Sequence, residues 1–308
     1  MSVFKLLCVG SDAEVFLFNP ATNKPVPVCG LLGGTKEKPR TIAALGDGFC
    51  VQEDNVMAEF NIPACASRDA FKQSITMMRS YLEAYFSNEH KLKVNYVPSE
   101  VFEPIQLASP QAQTFGCDPD FNAWTLEEND IDVRNPKLRT LRTAGGHVHI
   151  SFTVDNNVPE LQDMILLVKA LDLCLGVPSI LADTDLRRKE FYGKEGAFRP
   201  KQYSKSVQGV EYRTLSNFWI KNSYCCNVLY YNIQRAFQFI NNNGDLETLL
   251  DKAHPDITRA INTGHKDSAL HLMDKWGISG FVENKSKKHH LVYGEDSTQS
   301  FTIGYVNS

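Results

Sequence analysis

Alternation of apolar and polar residues predicts β-strands that each have one chemically distinct face. The clearest case is the run RTAGGHVHISF, residues 142–152. Because side chains alternate along a strand, His147 and His149 fall on one face, while the apolar residues from Val148 to Phe152 fall on the other. Gly145 and Gly146 precede the pair and would let a ligand approach the backbone. Taken alone, such a pair is more often two half-exposed, hydrogen-bonded histidines than a ligand pair.

Three further segments, residues 12–18, 50–62 and 208–216, repeat this design with carboxylates. Their predicted polar faces carry Asp12 and Glu14 in the first, Glu53 and Glu59 in the second, and Glu211 and Arg213 in the third. For any one strand such a face is normally solvent-exposed. Carboxylate oxygens and imidazole nitrogens, however, are ligands of divalent ions such as Mg²⁺ and Mn²⁺, and massed carboxylates repel one another unless cations lie between them. The pattern therefore predicts a curved antiparallel sheet whose inner face holds two or more divalent ions.

Apolar residues at a spacing of three to four predict helices over residues 68–86, 159–175 and about 222–242. Ser67 is the expected N-cap of the first, whereas Pro159 in the first turn and Gly176 beyond the end bound the second. Strands and helices together predict the α+β class, a curved antiparallel sheet flanked by helices with a small, mainly helical C-terminal part.

The composition changes after the third helix. We predict one domain over residues 1–242 and an extension over 243–308 that packs on it, with short helical pieces around 245–277 and a strand in the final SFTIGYV. Residues 108–141 are polar and contain proline, which predicts a long, ordered loop. The apolar positions of the helix at 222–242 are enough for either core packing or a dimer contact, so a homo-oligomer stays open.

Composition gives no sign of two classes of partner, nucleic acid and membranes. The 308 residues have a net charge of −4, which gives no electrostatic footprint for nucleic acid or an anionic membrane. No apolar run approaches the roughly 20 residues of a membrane helix. Eight cysteines without a CxxC motif indicate reduced thiols, which predicts a cytoplasmic protein.

A basic cluster follows the second helix, in DTDLRRKEFYGKEGAFRPKQY. It is either a solvent-exposed basic loop or a triphosphate-binding site, and we favour the second because an otherwise acidic chain concentrates its cations here. The cluster contains Arg187, Arg188, Lys194, Arg199 and Lys201. The glycine-rich run at residues 30–38 lacks the P-loop pattern, and although Lys36 could reach a phosphate, a simple turn explains the run at least as well.

In order, the motifs DAE, QEDNVMAEFNIP, RTAGGHVHIS, RRKEFYGKEGAFRPK and GVEYRTLSNFWI resemble the phage-type carboxylate–amine ligases of the glutamine synthetase and glutamate–cysteine ligase superfamily. The resemblance covers residues 5–235. It implies a half-barrel sheet that encloses ATP and two or three Mg²⁺ ions, with Mn²⁺ as an alternative. Asp12 stands where the family's first acidic position is usually glutamate, and no residues match the amino-acid pocket of better-known members.

The resemblance also implies roles for individual residues. The metal ligands would be Asp12, Glu14, Glu59, His147 and Glu211. The nucleotide contacts would be His149, Arg187 and Arg188, joined by Lys36, Lys194 and Lys201 from the charge pattern. The residues that act on the reacting groups would be Arg199 and Arg213, with Glu53 or Asp54 as the base that deprotonates the amine.

The implied reaction joins a small-molecule or peptide carboxylate to an amine through an acyl phosphate, in the host cytoplasm if the gene belongs to a phage. Two alternatives remain open. A metal-dependent phosphohydrolase or nuclease would also place carboxylates and histidine on one face. A catalytically inactive nucleotide-binding protein could retain the same fold.

Overall fold

The computed structural model describes residues 2–113, 120–129 and 134–282. The predicted strand SFTIGYV, the basic tail before it, Cys117 and part of the predicted loop at 108–141 lie outside these residues. Among the described residues, no helix combines the length and apolar character needed to cross a membrane.

One antiparallel sheet of 11 strands dominates the described part of the chain, in the order β3-β4-β5-β1-β11-β13-β12-β8-β9, with β2 and β6 also paired to β1. A separate pair joins β7 to β10. The strands are β1 Phe4–Asn19, β2 Lys24–Val26, β3 Arg40–Thr41, β4 Cys50–Asp54, β5 Met57–Asn61, β6 Lys93–Asn95, β7 Ser99–Val101, β8 Asp120–Asn122, β9 Glu128–Asn129, β10 Leu141–Thr143, β11 Gly146–Val154, β12 Ala197–Gln202 and β13 Gln208–Tyr212.

Strand β1 is central to the sheet and extends the strand predicted over residues 12–18 at both ends. It pairs with β11 on one side, where Asp12 lies opposite His147, and with β5 on the other, where Glu14 lies opposite Glu59. Its alternate residues, such as Val15, are fully buried in the core. The predicted separation of a polar and an apolar face is therefore confirmed for this strand.

The segment predicted as one strand over residues 50–62 is instead a hairpin. Asp54 pairs with Met57, so the chain turns at Asn55, whose φ of 54° lies in the left-handed region that asparagine tolerates. Because the chain reverses there, residue parity does not carry across the turn. Glu59 lies opposite Gln52, and Glu53 therefore points away from the face that Glu59 occupies. The predicted shared face of Glu53 and Glu59 was wrong.

Helices cover the apolar face of the sheet, which confirms the α+β class. They are α1 Arg68–Tyr85, α2 Pro110–Gln113, α3 Leu161–Leu171, α4 Val177–Ser179, α5 Ser223–Asn242, α6 Leu246–Thr263 and α7 Lys266–Trp276. The Ser67 hydroxyl accepts a hydrogen bond from the Ala70 amide, which confirms the predicted N-cap of α1. Buried side chains of α1, α3 and α5 pack in one hydrophobic core with the inner residues of β1, β11 and β13.

The helix predicted over 159–175 differs at both ends. Helix α3 begins after Glu160, whose amide donates to the Asp163 carboxylate (2.8 Å), so Pro159 lies before the helix and not in its first turn. At the other end a π-helical turn, Asp172–Gly176, leads directly into α4. Gly176 does not end the helix. A Cβ there would lie 2.6 Å from Ile261 Cδ1 and 2.8 Å from the Tyr212 hydroxyl, so glycine is needed for close packing.

The C-terminal helices pack on the same core as the sheet. Leu250, Ile257 and Ile261 of α6 and Leu272 of α7 are buried in the main hydrophobic cluster. These two long helices replace the short helical pieces predicted for this region, and the domain boundary near residue 243 stays a prediction.

A small second core lies on the polar side of the sheet. Phe16, Met57, Phe102, Leu107 and Ala112 are buried together in it. The segment predicted as a loop over 108–141 contributes to this region with α2 and adds β8 and β9 to the sheet edge. The polar face is thus partly covered by chain and is not an open surface.

We expect Asp172→Ala to lower the free energy of unfolding by about 3 kcal/mol, because it leaves buried donors without an acceptor. The fully buried Asp172 carboxylate accepts hydrogen bonds from the Trp124 indole (2.7 Å), the Tyr212 hydroxyl (2.7 Å) and the Gly196 amide (2.6 Å). Urea denaturation measures the loss. The exposed Asp274→Ala is the control and should change stability by no more than about 0.5 kcal/mol. An equal effect of the two substitutions would contradict this role of Asp172.

Candidate active site

A cavity of about 520 Å³ lies over the polar face of the sheet. Its floor is built by alternate residues of the central strands, and its walls come from the segments around Leu138–Thr143 and Phe191–Tyr192. The floor residues predicted from the sequence as metal ligands, nucleotide contacts or reacting groups are Asp12, Glu14, Asp54, Glu59, His147, His149, Arg199, Lys201 and Arg213. Strand periodicity places most of them at this cavity, and Asp54 reaches it because the β4–β5 hairpin reverses the chain.

The first cluster, which we call triad 1, consists of Asp12 and His149 on this floor and the fully buried Glu211. One possible ligand atom from each lies within 4.8 Å of the other two, a spacing that fits a single cation. His149 Nε2 is 3.1 Å from the Asp12 carboxylate, and Glu211 lies opposite His149 across the β11–β13 pairing. Burial alone would raise the pKa of Asp12, but the charge of His149 and hydrogen bonds from both histidines hold it well below its usual value.

The second cluster, triad 2, consists of Glu14, Asp54 and Glu59 and has the same spacing. Burial is the largest cause that raises the pKa of all three carboxyls, and their mutual repulsion adds to it for Glu14 and Glu59. The pKa of Glu14 rises to about 8. Three acids with raised pKa values on one buried face form a donor set that a divalent cation would satisfy.

His147 lies beside triad 1. Its Nδ1 is 3.5 Å from Asp12, 3.6 Å from Glu211 and 3.3 Å from the Arg213 guanidinium. Burial, and then the charge of Arg213, lowers its pKa to about 3, so the ring is neutral. Its Nε2 is buried and has no hydrogen-bond partner among the described residues.

Three cations surround Glu211, the fully buried member of triad 1. Arg199 (3.5 Å), Lys201 (2.6 Å) and Arg213 all contact its carboxylate. The Arg213 guanidinium also donates to Asp120 (3.0 Å) and lies over the Tyr192 ring, 5.0 Å from its centroid. The β12–β13 hairpin therefore presents positive charge directly beside a cluster of metal-ligand type.

The remaining cations of the predicted basic cluster do not line the cavity. Arg187 is half-exposed and pairs with Asp185 (2.7 Å), and Lys194 is exposed. Arg188 is buried and donates to the carbonyl oxygens of Thr214 (2.9 Å) and Arg213 (3.1 Å). Its guanidinium thus fixes the end of β13 and does not face a ligand, so the cluster predicted as one phosphate site is divided by the fold.

The two residues predicted as the base also separate. Asp54 faces the cavity, whereas the Glu53 carboxylate accepts hydrogen bonds from the amides of Gly30 (2.8 Å), Leu32 (2.8 Å) and Gly33 (2.7 Å). Burial alone would raise the pKa of Glu53, but the hydrogen bonds from these amides lower it. Glu53 therefore anchors the glycine-rich loop, and the loop's amides are taken by its own chain. Lys36, at the tip of that loop, lines the cavity.

Three residues of the site were missed from the sequence. Asp120 holds Arg213, Tyr192 stacks on it, and the Tyr203 hydroxyl lies 3.1 Å from His149 Nδ1. Tyr192 and Tyr203 lie within the predicted basic cluster, so their position among its cations could have indicated that they belong to the site. Asp120 comes from the segment predicted as a loop, and no pattern in the sequence indicates its partner.

The part of this site that β11, β12 and β13 build lies within a stretch of the chain that matches a known protein family. Residues 140–274 match a family of carboxylate–amine ligases. The family model is described as "Phage phiEco32-like COOH.NH2 ligase-type 2". The predicted resemblance is confirmed over this stretch, which includes β11 and the β12–β13 hairpin but not β1 or the β4–β5 hairpin.

Other comparisons add a distant structural similarity. A solved structure described as "novel glutamine synthase homolog" is 13% identical and aligns with 88% of this chain and 67% of its own, with a TM-score of 0.39. No curated protein matches the chain significantly.

We expect Mg²⁺ to raise the free energy of unfolding, by an amount that grows from about pH 5 to about pH 8. The sign follows from the raised pKa of Glu14, about 8 in the folded protein against 4.5 as the ordinary value. Between these values the metal-free folded state keeps a proton that the unfolded chain releases, so stability falls as the pH rises, and cation binding offsets this loss. Urea denaturation with and without Mg²⁺ at several pH values measures the difference.

The matched variants are Glu59→Gln, which removes one carboxylate of triad 2, and Glu247→Gln, which changes an exposed carboxylate on α6. Glu59→Gln should reduce the Mg²⁺ effect and Glu247→Gln should retain it. A Mg²⁺ effect that is the same at all pH values, or in both variants, would contradict the assignment of triad 2.

Proposed function

We propose that this chain is an ATP- and Mg²⁺-dependent ligase that joins a carboxylate to an amine. The observation that carries the proposal is the pair of cation-sized triads on either side of β1, because five of their six side chains, all but the buried Glu211, line one cavity together with Arg199, Lys201 and Arg213. The family match over residues 140–274 supports the reaction class. The substrates proposed are a small-molecule or peptide carboxylate and an amine.

The proposed reaction has two steps. A carboxylate oxygen attacks the γ-phosphorus of ATP, the bond from that phosphorus to the β,γ-bridging oxygen breaks, and ADP leaves. The amine nitrogen then attacks the carbonyl carbon of the acyl phosphate, the carbon–oxygen bond to phosphate breaks, and an amide and inorganic phosphate remain after the nitrogen loses a proton. Both steps move negative charge, which fixed cationic groups can stabilise.

The donor sets of the two triads fit divalent cations. Triad 1 offers two carboxylates and an imidazole, and triad 2 offers three carboxylates, all of which are ligands for Mg²⁺ or Mn²⁺. Such ions, when bound, would neutralise phosphate charge and orient the phosphate oxygens.

The chain's own cations would bind the transferring phosphoryl group. Arg213 is fixed from one side by Asp120 and from another by the Tyr192 ring, so its guanidinium enters the reaction already oriented. Arg199 and Lys201 line the cavity beside it. Lys36 lines the cavity from the glycine-rich loop and adds a further positive charge for an anionic substrate. Asp54 is assigned to triad 2, and Glu53 is not assigned a catalytic role because its carboxylate binds the loop.

The first experiment follows ADP release from Mg²⁺-ATP with pooled carboxylates and hydroxylamine as the amine. A ligase releases ADP only when a carboxylate is present and forms a hydroxamate in equal amount. Phosphate release with neither substrate would favour the phosphohydrolase. Binding of ATP without any ADP release would favour the inactive nucleotide-binding protein. Either of these results would overturn the proposal.

We expect Arg199→Ala to lower the rate of ADP release about a hundredfold, the typical cost of removing one group that stabilises the transition state. Lys194→Ala should leave the rate unchanged, because Lys194 is exposed and does not line the cavity. Both belong to the same basic cluster, so the comparison tests whether only the residues that line the cavity bind the nucleotide. Equal losses in the two variants would show that the whole run binds the nucleotide.

A further inference from the structure

The glycine-rich loop is fixed at several points. Besides the three amides that bind the Glu53 carboxylate, the Leu31 carbonyl accepts a hydrogen bond from the Tyr85 hydroxyl (2.9 Å). At Gly34, where φ is 83°, the backbone lies so close to β4 that a Cβ would be 2.5 Å from the Val51 carbonyl oxygen. The loop therefore presents its side chains from a rigid support.

The tip of this loop presents one of its charges to the cavity. Thr35 and Lys38 exchange two backbone hydrogen bonds of 3.1 Å each, which closes a tight turn over Lys36 and Glu37. The Glu37 carboxylate accepts a hydrogen bond from the Thr35 hydroxyl (2.9 Å). Lys36 lines the cavity, whereas Lys38 does not. The two lysines are therefore a matched pair of which one belongs to the site.

Lys36 acts on triad 2. Its charge lowers the pKa of Asp54 more than the charge of any other residue does, although burial keeps that pKa above its ordinary value. Arg213 and Arg199 also lower the pKa of Asp54, but to a smaller extent, and both contact the Glu211 carboxylate at triad 1. Lys36 is thus the cavity-lining cation with the strongest effect on Asp54.

A further cavity-lining cation, Arg142, holds the wall of the cavity. It is buried, and its guanidinium donates to the carbonyl oxygens of Leu138 (2.6 Å), Leu141 (2.9 Å) and Ala112 (2.8 Å). The guanidinium cannot turn to meet a ligand without breaking these bonds. A lysine ammonium, in contrast, has a flexible stem and can move between acceptors while the backbone stays in place.

Resting on the proposed function, we propose that Lys36 binds the carboxylate of the substrate once a divalent cation occupies triad 2. Without that cation, the Lys36 ammonium compensates part of the negative charge of Asp54. A cation held by triad 2 would neutralise Asp54 and repel the ammonium, because like charges repel strongly in a medium of low dielectric. The ammonium then becomes available to a carboxylate oxygen of the substrate.

The distribution of charge favours the carboxylate over the nucleotide as the ligand of Lys36. The proposed reaction brings two anions into one cavity, a triphosphate and a carboxylate. Arg199, Lys201 and Arg213 lie together beside triad 1 and offer their charges to the phosphates. The carboxylate needs a counter-charge on the other side of β1, where Lys36 supplies one. The charge pattern of the sequence alone predicts a nucleotide contact for Lys36 instead.

The proposal predicts opposite effects of one substitution on two ligands. Lys36→Met keeps a long side chain but removes its charge, so that no ammonium competes with the cation at triad 2. Calorimetry of Mn²⁺ binding to the full chain, without substrates, should show two sites in the wild type. In Lys36→Met one site should tighten about fivefold or more, and the other should be unchanged.

The matched control is Lys38→Met, which removes the same charge from the same loop outside the cavity and should bind Mn²⁺ as the wild type does. Adding Glu59→Gln to Lys36→Met should weaken the tightened site and not the other, because it removes a carboxylate of triad 2. Both lysines are exposed, so neither single substitution should change Tm by more than a few degrees.

The second measurement uses the carboxylate that gives the most ADP release in the pooled assay, with hydroxylamine as the amine. Lys36→Met should raise the KM for this carboxylate about 10- to 100-fold, the typical cost of losing a hydrogen bond to a charged group. The KM for Mg²⁺-ATP should be unchanged. Lys38→Met should change neither value.

The outcomes separate this inference from the proposed function. No Mn²⁺ binding by the wild type would overturn the metal-dependent function, and this inference with it. Identical Mn²⁺ binding by the wild type and Lys36→Met would overturn the competition at triad 2 and leave the function standing. An unchanged KM for the carboxylate would overturn its assignment to Lys36, and a raised KM for Mg²⁺-ATP in its place would assign the lysine to the nucleotide.

Discussion

Electrostatic repulsion among carboxylates on one buried sheet face is the constraint on which the rest of this structure depends. Strand β1 carries Asp12 and Glu14 two residues apart, and each joins acidic neighbours on a different side of the strand. In a medium of low dielectric, such groups cannot all be ionised without nearby positive charge. Histidine, arginine and lysine supply that charge at triad 1, where the pKa of Asp12 is lowered and that of Glu211 is raised, whereas the pKa values of all three carboxyls of triad 2 are raised. This asymmetry gives the two sides of one strand different chemistry.

Much of the surrounding structure holds charged groups in fixed positions. The Arg188 guanidinium donates to the carbonyl oxygens of Thr214 and Arg213 just after β13, and Asp120 orients Arg213 from strand β8. The Glu53 carboxylate likewise fixes the glycine-rich loop by accepting hydrogen bonds from its amides. None of these three faces a ligand, yet each sets where a neighbouring group points. Preorganisation of this kind costs stability, and the buried networks beneath the sheet, such as that of Asp172, offset part of that cost.

The sequence predicts the floor of the site well because strand periodicity is a local property. A period of two places Asp12 with Glu14, His147 with His149, and Glu211 with Arg213 on one face of their own strand, and no knowledge of strand order is needed for this step. It fails at Asn55, where a single residue with positive φ reverses the chain and moves Glu53 to the other side. The clustering of charge along the chain fails for Arg188 and Lys194, because burial and carbonyl contacts are set by packing between distant segments. The sequence shows which cations lie near one another along the chain, but it does not show which of them share a cavity.

Gly176 connects the C-terminal helices to the chemistry of the sheet. The space that its missing side chain leaves is shared by Ile261 of α6 and the hydroxyl of Tyr212, the residue that precedes Arg213. Helix α6, which comes well after Arg213 in the sequence, thus lies one layer behind the site. A substitution in that helix can therefore displace Tyr212 and the neighbouring Arg213 while every residue that lines the cavity stays the same.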